Sequence, residues 1–247
     1  MGRLSAVIIA YNEEHAIVRC LKSLQPVVDE IIVVDSGSSD CTADISRSLG
    51  AKVITCTWHG YAQNKNLGNA HASSDFILWL DADEMLSDEL ADSIAAVKNH
   101  LSGAYSVNRM NNYCGKWIRH GGFYPDKKIR IFNRKQAFWS GGSVHETLQF
   151  TEPVRVTQLK GDILHFSYTT VQEHWKRMQL YSSLAARDIA GRSVGFKIGK
   201  MLFSPVFRFT RSFFFQAGFL DGSHGFLLAA ITSIEVFEKY RKSLLHF

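Results

Sequence analysis

The chain has 247 residues, 46% of them hydrophobic and 21% charged, with a formal net charge of +5 at pH 7. Those values exclude wholesale disorder and leave enough apolar chain to bury one large α/β domain, alone or with a smaller helical appendage. Residues 186–247 hold nine Lys or Arg against four acids, the whole of the surplus, so the first 185 residues are neutral overall. A basic, aromatic-rich tail beside a neutral body points to an anionic surface as partner. No helix-turn-helix, zinc or RNA-binding signature accompanies the charge, so a membrane surface fits better than nucleic acid.

The N-terminus runs from Met1 straight into a strand-like segment, which leaves no room for a signal peptide. Ser5 to Ala10 is a continuous apolar run, as expected of a strand buried on both faces of a parallel sheet. Asn12 reads as a helix N-cap with Glu13 and Glu14 in the first turn, and Ile17, Cys20, Leu21 and Leu24 recur at helical spacing before Pro26. A second strand over 30–34 ends at Asp35-Ser36-Gly37-Ser38-Ser39-Asp40, and a short helix then closes at Gly50. Lys52 to Thr55 is a third strand, Tyr61 to His71 is helical, 75–80 is another buried strand, and Ser87 caps a helix carrying Leu90, Ile94 and Val97. This alternation predicts an open, mostly parallel, doubly wound sheet with helices on both faces. Ligands of such sheets bind beyond the carboxyl ends of the strands, where the polar clusters fall.

From about Ala104 to Tyr168 the pattern changes to short strands with Gly and aromatic turns, a mixed or antiparallel extension. After Thr169 the chain is helical, with a soft boundary near Arg187–Gly199, where Gly191, Gly195 and Gly199 interrupt the pattern. The expected organisation is a catalytic domain over 1–186 and a basic helical extension over 187–247. Within the extension, Val194 to Phe215 mixes Lys197, Lys200, Arg208 and Arg211 with many Phe residues, the composition of an interfacial amphipathic helix. A basic helix packed by its aromatic face on the rest of the protein has the same composition. The apolar stretch from Phe213 to Ile231 is broken by Gln216, Asp221, Ser223 and His224, which argues against a spanning helix. The four cysteines, Cys20, Cys41, Cys56 and Cys114, form no CxxC pair and read as reduced thiols of a cytosolic protein.

The sharpest chemical feature is Leu80-Asp81-Ala82-Asp83-Glu84. A strand that delivers two carboxylates at i and i+2 offers oxygen ligands to a hard divalent cation, which keeps waters and takes phosphate oxygens besides. A strand-end turn before a helix N-cap would look the same. Upstream, Tyr11 and Asn12 can stack on and hydrogen-bond a base, and Asp35 can accept from a ribose or base, although capping roles also suit Asn12 and Asp40. No GxGxxG or GxxxxGK[ST] is present. Between Arg109 and Arg130 the chain is dense in cations and aromatics. Trp117, Arg119, His120 and Tyr124 are the candidates there for a site that receives an anionic glycolipid or oligosaccharide. A solvated basic loop is the competing account.

Four blocks stand in register: Ile8 to Glu14, Val34 to Asp40, Gln63-Asn64-Lys65-Asn66, and Leu80 to Glu84. Together they resemble family 2 inverting glycosyltransferases of the GT-A fold. Three later blocks, Arg130-Ile131-Phe132, Gly141 to Glu146 and Gly218 to Gly222, resemble the bacterial lipopolysaccharide-core β-1,4-glucosyltransferase subgroup. The resemblance implies a GT-A-like, Rossmann-like α/β fold with a helical basic extension. It implies that Tyr11, Glu13 and Asp35 hold the uracil and ribose of a UDP-sugar, that Lys65 approaches the diphosphate, and that Asp83 with Asp81 holds Mg²⁺ or Mn²⁺. His165 would complete the metal site. Glu146 is implied as the general base, with His145 a weaker candidate. Ser36 stands where many relatives have a second aspartate, and Lys65 where many have arginine.

The expected activity is transfer of a hexose such as glucose, with inversion, to a lipopolysaccharide-core or related envelope glycan. The enzyme would sit peripherally on the inner face of the cytoplasmic membrane. A nucleotidyltransferase, or a catalytically silent sugar-nucleotide-binding membrane scaffold, would share several of these features.

Overall fold

The structure is a computed structural model, and it describes residues 2–141 and 146–245. β1 (Leu4–Ala10) is buried along its whole length, and its alternate side chains enter two different cores, as the apolar run predicts. Leu4, Ala6, Ile8 and Ala10 pack with α1 (Ile17–Leu24), while Val7 and Ile9 face the opposite side of the sheet. Parallel neighbours flank it: β2 (Glu30–Asp35) on one side and β4 (Phe76–Asp81) on the other, with β3 (Lys52–Thr55) beyond β2.

α2 (Thr42–Ser48) and α4 (Asp88–Val97) place Ile45, Leu90 and Ile94 in the first core. α3 (Tyr61–His71) covers the second, with Leu67 and Ala72 against Val7, Val34 and Trp79. Helices thus lie on both faces. Gly68 sets how closely α3 approaches the sheet, because a Cβ there would stand 2.4 Å from Val7 Cγ1 and 3.0 Å from Val34 Cγ2.

Beyond β4 the sheet becomes mixed. β5 (Glu84–Leu86), β6 (Ala104–Tyr113), β8 (Asp126–Asn133) and β11 (Val156–Tyr168) complete the order β3-β2-β1-β4-β8-β6-β11-β5, and β7 (Lys116–Ile118) hangs on β6. β9 (Ala137–Gly141) and β10 (Glu146–Phe150) form a separate antiparallel pair. The expected mixed extension is therefore present. The motif residues Gly142, Ser143, Val144 and His145 lie outside the described residues.

Two compact units divide the chain. One comprises Met1–Arg109 and Lys127–His165, the other Met110–Asp126 and Phe166–Phe247. The second contains α5 (Val171–Asp188), α6 (Val194–Thr210) and α7 (Gly222–Leu245). α5 begins with a capping box in which Thr170 and Glu173 satisfy each other's backbone N–H groups. α7 is tied to α5 through Lys242, whose ammonium donates to Gln179 O, Ser182 Oγ and Ser183 Oγ. Gly191 falls between α5 and α6 as expected, but Gly195 and Gly199 lie inside α6 and do not interrupt it.

One expected cap is absent. Asn12 has φ +55°, and its Oδ1 accepts from Ser39 N at 2.8 Å, so it braces the loop after β2. α1 starts only at Ile17, without a side-chain cap. The carbonyl of Glu13 accepts from the N–H groups of Ala16 and Ile17 and turns the chain before the helix. A polar residue followed by two acids carries the local signature of a helix start, but here a loop 27 residues away takes the side chain.

Candidate functional site

The carboxyl ends of β1, β2 and β4 lie side by side, with Ala10 opposite Asp35 and Ile9 opposite Asp81 in the register. The strand order reverses direction between β1 and β4, the place where open α/β sheets leave a crevice. Tyr11 leaves β1 with 59% of its surface exposed, a free aromatic face at the rim. Asp35 is buried and accepts from Ser38 N at 3.1 Å and Ser38 Oγ at 2.5 Å. Glu13 is half-buried beside it, its backbone N–H donating to Thr42 Oγ1 at 2.7 Å. The candidate nucleoside residues are thus brought to one end of the sheet.

Asp81 ends β4 with 34% of its side chain open. Desolvation, reinforced by the neighbouring Glu84 carboxylate, pushes its carboxyl up to about 7 against the opposing pull of Arg130. Arg130 Nη2 lies 3.8 Å from Asp81 Oδ2 and 2.5 Å from Glu84 Oε1. Glu84 is fully buried; its Oε2 accepts from Asp81 N at 3.0 Å, and Arg109 stands 3.6 Å from its Oε1. Glu84 and Arg130 therefore form the floor beneath the carboxylate pair. Both residues fall within motifs legible in the sequence, but a separation of 46 positions hides their pairing, so neither carries a site role there.

Asp83 Oδ2 lies 3.2 Å from His165 Nε2, because His165 of β11 pairs with Glu84 of β5 in the strand register. Two of the expected metal ligands thus meet, and Asp81 is two residues away. Among the described residues no group of three or more His, Cys, Asp or Glu is arranged as a complete metal site. One carboxylate and one imidazole fit a divalent cation that completes its shell with water and phosphate oxygens.

The Gln63-Asn64-Lys65-Asn66 block is read by three successive side chains pointing to three places. Asn64, fully buried, donates to Ser36 Oγ at 2.9 Å and ties α3 to the loop after β2. Asn66 makes a two-way pair with the backbone of Trp139, donating to its O at 2.8 Å and accepting from its N at 2.9 Å, which fixes the β9–β10 hairpin on α3.

Lys65, between them, is buried and ion-paired with Glu146. Its ammonium lies 3.7 Å from the Trp79 ring centroid and 4.2 Å from that of Trp139. Burial lowers the Lys65 pKa, and the carboxylates of Asp81 and Glu146 oppose that shift. Lys65 thus lies between the strand-end carboxylate and the hairpin carboxylate. Trp139 was not singled out from sequence; an aromatic in a short strand carries no local sign that it will flank a buried ammonium.

Trp117, Arg119, His120 and Tyr124 belong to the second unit. There Trp117 packs edge-on against Phe166, with ring centroids 5.3 Å apart. The buried Asp221 organises the next two residues, its Oδ2 accepting from Arg119 N at 3.1 Å and His120 N at 2.8 Å, with His120 Nδ1 3.2 Å from its Oδ1. The Arg119 side chain is exposed, and Tyr124 precedes a cis peptide bond to Pro125.

The glycosyl transferase family 2 model matches residues 5–156. An uncharacterised glycosyltransferase of Rickettsia typhi is 31% identical over 254 residues, covering 98% of this chain and 87% of that protein. One from Rickettsia felis is 32% identical over 263 residues, covering 99% and 92%. A lipopolysaccharide core biosynthesis glycosyltransferase of Rhizobium meliloti is 26% identical over 253 residues, covering 96% and 93%. Among solved structures, Staphylococcus aureus TarS aligns with a TM-score of 0.49 at 17% identity, covering 97% of this chain and 91% of that one.

Proposed function

Because this chain belongs to glycosyl transferase family 2, we propose that it transfers a hexose from a UDP-sugar, with inversion, to a lipopolysaccharide-core or related envelope glycan. The observation that carries the reading is the Lys65–Glu146 ion pair, which brings the Glu146 carboxylate to the strand ends where Asp81 stands. The relative of Rhizobium meliloti, named for lipopolysaccharide core biosynthesis, supports the choice of acceptor class.

Tyr11, Glu13 and Asp35 hold the uridine in this reading, and Asp81 contacts the donor. Asp83 and His165 hold Mg²⁺ or Mn²⁺, a cation that would offset the charge developing on the diphosphate leaving group. Glu146 takes the proton of the acceptor hydroxyl as that oxygen bonds the anomeric carbon from the face opposite the nucleotide, and the bond to the diphosphate breaks to release UDP. Trp117, Arg119, His120 and Tyr124 receive the acceptor. We place the transfer chemistry in residues 1–186. Residues 187–247 attach the enzyme peripherally to the inner face of the cytoplasmic membrane; no helix among the described residues is long and apolar enough to cross one.

UDP release measured with a panel of UDP-sugars, an envelope glycan acceptor and added Mg²⁺ or Mn²⁺ tests the reading. Wild type turns over, Asp83→Ala loses the metal-dependent rate, and Glu146→Gln lowers kcat by roughly 10²–10⁴-fold with donor binding kept. Formation of diphosphate and a sugar nucleotide would point to nucleotidyl transfer, and tight donor binding without turnover would point to a silent binder.

A further inference from the structure

α6 presents an apolar face that nothing in its own unit covers. Of its residues only Lys197 is buried. Leu202, Phe203, Val206 and Phe207 recur at helical spacing and are 57%, 76%, 63% and 65% exposed. The apolar surface continues past the helix end into Phe214 and Phe215, the latter 86% exposed. The helix is nevertheless firmly seated by its other side. Lys197 Nζ donates to Ala190 O at 2.8 Å and Ser243 O at 3.1 Å, Phe209 packs edge-on against Phe226 of α7 at 5.8 Å, and Ser212 Oγ donates to Gly121 O at 2.9 Å.

Charge identifies what covers this face. From residue 189 to residue 220 the sequence contains no Asp or Glu, yet it carries Arg192, Lys197, Lys200, Arg208 and Arg211. Lys197 is used internally and Arg208 faces Glu235 of α7, while Lys200 and Arg211 flank the apolar stripe and Arg192 stands exposed just before the helix. A second copy of the chain meeting this face about a two-fold axis would bring Lys200 and Arg211 against cations of the same acid-free segment. A bilayer of anionic phospholipid satisfies both properties at once, taking the phenylalanines below the headgroups and the cations at phosphate level.

We propose that α6 and the turn after it form the membrane-docking face, lying in the plane of an anionic phospholipid bilayer and inserting Phe203, Phe207, Phe214 and Phe215. This rests on the peripheral-attachment reading above and assigns it a surface and a lipid class. The Lys and Arg set the preference for anionic lipid, and the phenylalanines supply the depth.

The test is flotation of the full chain with vesicles of phosphatidylcholine alone or mixed with phosphatidylglycerol, with no donor present. The proposal expects binding to the mixed vesicles and at least a tenfold loss in both F203S/F207S/F215S and R192Q/K200Q/R211Q, with circular dichroism unchanged. F207W should shift its emission to the blue on binding and be quenched by brominated lipid. Binding indifferent to phosphatidylglycerol, or retained in both triple variants, would overturn the assignment while leaving attachment through another surface. A wild-type dimer that the phenylalanine variant converts to monomer would show a second copy on the face instead. Because flotation needs no donor, a protein that binds vesicles but releases no UDP would fail the transferase reading and not this one.

Discussion

The ammonium of Lys65 is ion-paired with the Glu146 carboxylate and flanked by the rings of Trp79 and Trp139, so α3 and the β9–β10 hairpin share one buried charge pair. Sequence resemblance places Lys65 at the donor diphosphate. The geometry gives it a different task, holding the carboxylate proposed as base. The two roles separate kinetically. Lys65→Met should lower kcat by roughly 10²-fold through misplacement of Glu146, with donor Kd within twofold of wild type by calorimetry. A large rise in donor Kd at unchanged kcat would return Lys65 to the diphosphate.

Glu84 is fully buried and pairs with Arg130 beneath Asp81. Breaking a buried pair from one side leaves an uncompensated charge, which costs about 3–5 kcal/mol. Arg130→Met should therefore destabilise the protein by an amount near the lower end, since Arg109 remains 3.6 Å from Glu84. Adding Glu84→Gln should restore part of that loss. Urea unfolding of the single and double variants checks this, and an additive double variant would show that the pair does not act as a unit.

His174 is buried among Tyr113 and Tyr168, with Nδ1 3.0 Å from the Tyr113 hydroxyl. Burial, aided by Arg177, lowers its pKa from 6.5 to about 4. A histidine held neutral in the folded state contributes stability that is present above pH 6.5 and lost as pH falls toward 4, because the unfolded chain then binds the proton first. The change amounts to about 3 kcal/mol over that window. His174→Phe should flatten the dependence of unfolding free energy on pH between 4 and 6.5, leaving the carboxylate contributions in place. A slope in that window identical to wild type would remove His174 as its source.

Much of the fold was legible because its signals are local. Lys52–Thr55 and Tyr61–His71 form the expected strand and helix, and Ser87 Oγ accepts from Leu90 N as the cap of α4. The apolar run of β1 also reads correctly, since a strand buried on both faces needs no alternation. Asn12 reads wrongly for the converse reason: its signature is local, but the partner that decides its conformation comes from the loop after β2.

The sequence by itself determined the order of strands and helices, the two carboxylates at the end of β4, and the concentration of positive charge in the last quarter of the chain. Each is a property of residue type and spacing, set by backbone preference, hydrophobic period or formal charge. Only the tertiary structure decided that Lys65 meets Glu146 across 81 residues, that Glu84 is buried against Arg130, and that Asp83 faces His165. It alone showed that α6 turns its phenylalanines to solvent. Pairings of this kind depend on strand register and helix rotation, and neither is encoded in any window short enough to read along the chain.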